Sequence, residues 1–200
     1  MLETIILALI ITKLKGYEIK SLFKSWHIYP MLTIELIYII IQINIFLENY
    51  SLITHIKLLE TIYICSYLFI IIKYEQYTSA IIGSIFILIG GMLNKIAIAV
   101  NNGKMPVFPT LSYFTGYAKP YSFLKVNDIH ILGNSSTKFK FLTDIIDVGY
   151  SVMSIGDIFI RFFVFIVIFN TIKHINNIKS IKLKQFLIIR MINILEYIII

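Results

Sequence analysis

Cysteine is all but missing from this chain: among 200 residues only Cys65 carries a thiol, so no disulfide, zinc site or redox pair can be built within one copy. Charge is the next scarcity. Only 14% of residues are Asp, Glu, Lys or Arg, where soluble domains carry about a quarter, while 58% are hydrophobic. Too few polar side chains remain to cover a water-soluble globule of this size. Acidic residues are the scarcer sign, 11 against 18 Lys and Arg, leaving a net charge of +7. The four histidines (His27, His55, His130, His174) show no H-x-x-x-H or H-E-x-x-H spacing, which speaks against a metal hydrolase. No glycine-rich phosphate loop is present, since Gly90-Gly91-Met92-Leu93-Asn94-Lys95 lacks the required spacing and falls inside a helical run. No cofactor is called for.

What the chain does have is long uncharged runs. Residues 2–12, 29–47, 56–72, 79–100 and 155–172 each read as an apolar helix. No basic region precedes the first, which holds Glu3, so it reads as a retained helix rather than a cleavable signal, though short for a span. Pro30 suits the first turn of the second run, and Glu35 and Gln42, seven apart on one face, point that face inward. Cys65 lies in the third run as a small lipid-facing or packing residue. The fold class expected is all-α: a polytopic membrane bundle of about five transmembrane helices. The multipass domain spans 1–173, and 174–200 forms a basic tail, read as an interfacial amphipathic helix.

Between 101 and 153 the pattern breaks. Asn101-Asn102-Gly103, Pro106, Pro109, Gly116, Pro120 and Gly133-Asn134 are turn formers, yet the stretch is rich in Phe, Tyr, Leu and Ile, so it should pack on the membrane face of the bundle. The positive charges set the orientation. With the N-terminus outside and the C-terminus inside, Lys13, Lys15, Lys20, Lys24, Lys73, Lys173, Lys179, Lys182, Lys184 and Arg190 fall inside. Lys57, Lys104, Lys119, Lys125, Lys138 and Lys140 are left outside with the loop. These cations anchor to anionic lipid rather than nucleic acid. The location expected is a bacterial cytoplasmic membrane, the partners lipid and a second membrane protein. Trp26, Tyr29, Tyr50, Tyr113, Tyr117 and Tyr121 gather at predicted boundaries as an aromatic belt, and His55 and His174 fall at interfaces.

The polar residues worth a functional reading bracket the loop. Asn94, Lys95, Asn101, Asn102, Gly103 and Pro106 stand at its entry; Thr143-Asp144-Ile145-Ile146-Asp147 and Ser154-Ile155-Gly156-Asp157 stand at its exit. An acid such as Asp157 near the head of a span should face the bundle or pair with Arg161 at i+4. Asp128-x-His130 lies in the loop within potential reach of this cluster. Three readings compete. The first is structural: Ser154 and Asp157 start a helix, and Asn102-Gly103 makes a turn closed by Pro106. The second is a binding site for a small ligand, ion or head group between Glu35, Lys95, Asp144 and Asp157. The third is an aspartate pair, Asp144 and Asp157, one activating water and the other protonating a leaving group, with Asn101 or Asn102 as positioning amide.

The motifs N-G-x-M-P (Asn102, Gly103, Met105, Pro106), L-x-D-I-I (Leu142, Asp144, Ile145, Ile146) and S-I-G-D (Ser154 to Asp157) resemble a family of small bacterial multipass membrane proteins classed as a domain of unknown function. The resemblance runs over roughly 1–173 and implies architecture, without an activity. The aspartate layout is also similar to that of the lipoprotein signal peptidases, which would imply an intramembrane aspartic hydrolase. S-I-G-D departs from their N-x-A-D, and their G-N-x-x-D-R element is missing.

Overall fold

The computed structural model describes residues 1–53, 56–119, 121, 123 and 128–199, excepting the side chains of Lys57 and of Met191 onward. His55, Pro120 and Lys125, read above as interfacial, turn-forming and outer-loop residues, lie outside that set. Helices dominate: α1 (Leu2–Leu14), α2 (Lys20–Phe23), α3 (Tyr29–Phe46), α4 (Ile56–Ser66), α5 (Leu68–Lys73), α6 (Tyr77–Val100), α7 (Leu111–Phe114) and α8 (Ile155–Ile199). Pro30 falls in the first turn of α3, where its missing N–H costs nothing. Three described helices are long and apolar enough to cross a membrane: Trp26–Phe46, Tyr77–Val100 and Ile155–Arg190. At 13 residues α1 is short for a span, and α4 and α5 are separate helices joined at Tyr67.

Lipid rather than water suits the outer surface. Leu36, Ile81, Leu88 and Met92 are all more than half exposed, on helices with almost no charge to offset them. The core is a helix-spaced stripe on α8, Phe163, Val164, Val167, Ile168 and Ile172, against which pack Ile5 and Ala8 of α1 and Tyr63, Tyr67 and Ile70 of α4 and its continuation. Tyr63 and Tyr67 are fully buried and satisfy each other, hydroxyl to hydroxyl, at 2.8 Å. Two glycines of α6 leave room for its close packing on α8. A Cβ on Gly90 would stand 2.3 Å from the Gly156 carbonyl oxygen, and one on Gly83 would meet the Phe163 ring at 2.6 Å.

Contacts at the two ends of the bundle fix how the chain runs. At one end Phe46, closing α3, packs edge-on against Tyr117 with centroids 5.0 Å apart, and Lys119 pairs with Glu48, so α3 finishes beside the 101–153 segment. At the other end Ser79 of α6 accepts a hydrogen bond from Asn170 of α8 at 3.1 Å. There Asn176 brackets the Glu18 backbone, accepting from its N–H at 2.8 Å and donating to its carbonyl at 3.1 Å. Glu18 also pairs with Lys179. Beyond it α8 runs on without interruption through the boundary expected at 173/174, and residues 177–190 are exposed.

The 101–153 segment is folded, and not wholly helical. It carries two small sheets: β1 (Met105–Val107) pairs parallel with β2 (His130–Leu132), and β3 (Ile146–Asp147) pairs antiparallel with β4 (Val152–Met153). Asp144 adds a parallel bridge on the far edge of β1, its N–H donating to Pro106 O at 3.1 Å and its carbonyl accepting from Phe108 N at 2.8 Å. Proline is tolerated in β1 because Pro106 is asked only for its carbonyl on that side.

Candidate functional site

The S-I-G-D residues close a ring with Asn94. Ser154 caps α8 reciprocally with Asp157: the Ser154 Oγ accepts from Asp157 N–H at 3.0 Å and Asp157 Oδ2 accepts from Ser154 N–H at 3.0 Å. Asn94 of α6 completes it, its amide nitrogen donating to Asp157 Oδ1 at 2.9 Å and its Oδ1 accepting from Ser154 Oγ at 2.7 Å. Gly156 is required by this ring, because a Cβ there would lie 2.0 Å from Asn94 Oδ1 and 2.6 Å from Gly90 O. Both Asp157 oxygens are thus used, Oδ1 in joining α8 to α6 and Oδ2 in capping α8. Asp157 faces the bundle as expected, but its Arg161 partner is not found: Arg161 donates instead to Glu3 Oε2 of α1 at 2.8 Å. That pair, with the amine of Met1 3.1 Å from Glu3 and 3.7 Å from Glu35, forms a separate polar cluster on α1, α3 and α8. Glu35 is therefore grouped with Glu3 and Arg161. Lys95, one residue past Asn94, is exposed.

The N-N-G residues end α6. Gly103 N–H donates to Ile98 O at 2.9 Å across Asn102, which sits at φ 56°, a left-handed cap for the last helical turn. Gly103 follows at φ +78°, a conformation that asks for glycine. Asn101 does more than turn the chain. Its Oδ1 accepts from Lys138 N–H at 2.9 Å, and its amide nitrogen donates to Lys138 O at 2.9 Å and Ala97 O at 2.8 Å. Asn101, Asn102, Pro106, Asn134, Ser136 and Lys138 together line a polar cleft of about 130 Å³.

Asp144 is the buried acid of the loop, 4% exposed, and its Oδ1 has no hydrogen-bond partner. Burial, reinforced by the negative charge of Asp157, pushes its carboxyl up to about 7 against the opposing pull of His130. His130 bridges two acids: Nδ1 lies 2.5 Å from Asp128 Oδ2 and Nε2 lies 3.6 Å from Asp144 Oδ2. Burial lowers the imidazole, but the Asp128 bond and the nearby carboxylates outweigh it and raise it above the ordinary histidine range. Asp147 does different work. Its oxygens accept from Thr110 N–H (2.6 Å), Ser112 N–H (2.8 Å), Ser112 Oγ (2.5 Å) and Gly149 N–H (2.8 Å), capping α7 and closing the turn between β3 and β4. Burial works against ionisation, and these donors overcome it, so the carboxyl is held below the ordinary range.

Two groups escaped the sequence reading: the Asn94–Asp157 bond, 63 positions apart, and the His130–Asp144 contact across β1. Only the D-x-H spacing hinted at the second. Among the described residues no three His, Cys, Asp or Glu side chains converge as metal ligands. Neither a curated protein nor a solved structure matches the chain. A family model does match, over residues 19–169, which includes the loop and its bracketing residues. With three quarters of its length covered, the chain belongs to the family of unknown function DUF5317.

Proposed function

We propose that this is a multipass component of the bacterial cytoplasmic membrane that binds a small polar ligand, or a polar segment of a membrane partner, in the cleft of its outer loop. The cleft carries the reading: the polar residues Asn101, Asn102, Asn134, Ser136 and Lys138 are among those lining its roughly 130 Å³. Asn101 holds the Lys138 backbone on both sides, so one wall of the cleft is rigid before anything binds. On this reading the chain crosses five times, with the N-terminus outside and the C-terminus inside as the positive charges suggest. The count is supported by α3 finishing at the loop end and α6 starting at the other, which on this reading has α4 and α5 together return across the bundle. The exposed face of α8 from 177 to 190, bearing Lys179, Lys182, Lys184 and Arg190 without an acid, suits the anionic inner leaflet.

The test is complementation of a deletion strain with variants checked for normal abundance. Lys138→Glu and Ser136→Trp, which recharge and fill the cleft, are expected to fail to complement; full complementation by both overturns the binding reading. A second reading, the aspartic hydrolase, is favoured by one observation: burial, and after it the charge of Asp157, pushes the Asp144 carboxyl up to about 7, the direction in which one acid of a catalytic pair is shifted. It asks Asp157 to leave the Asn94–Ser154 ring. Asp144→Asn and Asp157→Asn variants that accumulate normally yet each fail to complement, beside cleft variants that succeed, would select it.

A further inference from the structure

Beside the cleft, and independent of what occupies it, lies a histidine that neither the binding nor the hydrolysis reading uses. Asp128, half-exposed, and Asp144, buried, face the same imidazole from opposite edges of β1, and the Asp144 Oδ1 points at no donor. The charge is unbalanced. Asp128, Asp144 and, from the head of α8, Asp157 act on His130, and α6 contributes the neutral Asn94. Lys104 donates to the Asp128 backbone carbonyl at 3.1 Å, and its charge acts on Asp128 and not on Asp144. A buried carboxylate in such company is costly unless a proton or a cation meets it. Among the described residues no three His, Cys, Asp or Glu side chains, these included, are arranged to hold a metal ion. His130, its side chain 43% exposed, gives protons a way in.

We propose that His130 and Asp144 are a proton-binding latch for the outer loop, closed when His130 is charged and Asp144 neutral or paired, and released when both protons leave. The latch joins two strands that share β1, since His130 opens β2 and Asp144 forms the bridge on the other edge. Ile131, the next residue of β2, lines the cleft, so release on one face loosens a wall on the other. The direction follows from linkage. A raised histidine stabilises the closed loop below its ordinary value of 6.5, and that stabilisation is lost as pH rises through the raised value. An acid raised from 3.8 to about 7 penalises the closed loop increasingly as pH rises between those two values, and fully above the upper one. Both contributions tighten the loop in acid and loosen it in alkali.

Hydrogen exchange on the full chain in lipid nanodiscs at about pH 5.5 and about pH 8.5, corrected for intrinsic rates, reads the latch directly. In the wild type the amides of Met105, Phe108, Gly133 and Asp144, whose bonds hold the three strands, should lose protection by about tenfold or more at the higher pH beyond that correction, one pKa unit being a factor of ten. Asp144→Asn should lose the part of this dependence that Asp144 contributes and keep only that of His130 on Asp128, and His130→Gln should keep only that of Asp144. Equal protection of the wild type at both values overturns the latch, as does full pH dependence surviving in Asp144→Asn. Should the His130 variant fail to fold, the ring titration of His130 in the wild type by NMR decides: a value at or below 6.5 overturns the proposal. Cleft binding tested by Lys138→Glu stands or falls separately.

Discussion

At Gly156 one hydrogen atom separates a tight helix crossing from a clash. The Cβ of an alanine there would fall 2.0 Å from Asn94 Oδ1, on the partner of both Ser154 and Asp157, and 2.6 Å from a backbone oxygen that has no freedom to retreat. Overpacking of this kind costs about 1–3 kcal/mol, and loss of a hydrogen bond to a charged carboxylate adds to it. Gly156→Ala is therefore expected to lower the detergent-solubilised stability by about 2–3 kcal/mol in a thermal or denaturant melt. Gly91→Ala, with nothing within 4 Å of its Cβ, should change it by less than about 0.5 kcal/mol. A Gly156 variant as stable as wild type would remove the packing explanation of the motif. The serine and aspartate of S-I-G-D were legible in the sequence as helix-starting chemistry, because a cap is local. Its glycine was not, because the reason for it sits on another helix.

The elements of the loop show how one type of residue divides its roles. Asp144 and Asp147, three positions apart, titrate in opposite directions: one is buried without donors, the other is surrounded by them. Asp147 is the staple that fixes α7 to the β3–β4 turn. Asp147→Ala leaves two backbone N–H groups at the α7 start and one at Gly149 without their acceptor. Local opening of residues 108–150 should become easier by about 2–3 kcal/mol, visible as faster hydrogen exchange there with the helical amides of α6 unchanged. Since this carboxyl is held low, its contribution is complete above the ordinary aspartate value of 3.8 and is lost as pH falls through the depressed value. Acid therefore weakens the staple while it tightens the latch. Exchange in the 108–118 region that is unaltered in the variant would deny Asp147 this role. Turn-forming residues announced that the chain leaves helix after Val100, and aromatic content announced that it packs. The pairing of 105–107 with 130–132 was not readable, since strands of three residues carry too little alternation to signal.

For the whole molecule the question is which side of the membrane each end occupies. With Cys65 replaced by serine, single cysteines introduced as Ser135→Cys in the loop and Lys182→Cys on α8 should react with a membrane-impermeant maleimide from opposite faces: the first in intact cells, the second only after permeabilisation. Both reacting from one side would break the proposed topology. Lengths alone leave α1 and the α4–α5 pair undecided, because 13 residues rise only about 20 Å, against a hydrocarbon core of about 30 Å. That the bundle is helical and made for lipid follows from the sequence by itself. Runs without charge and without water-covering side chains have no stable solution other than helices in a membrane, and this constraint needs no knowledge of neighbours. Only the tertiary structure decided that Asp157 turns to Asn94 while Arg161 turns to Glu3, that Asp144 and His130 meet across β1, and that Asn101 and Lys138 wall a cleft. These are pairings over tens to more than a hundred positions. Local propensity carries no information about them, because each is selected by the geometry of the packed helices and by the cost of leaving a buried polar group unpaired.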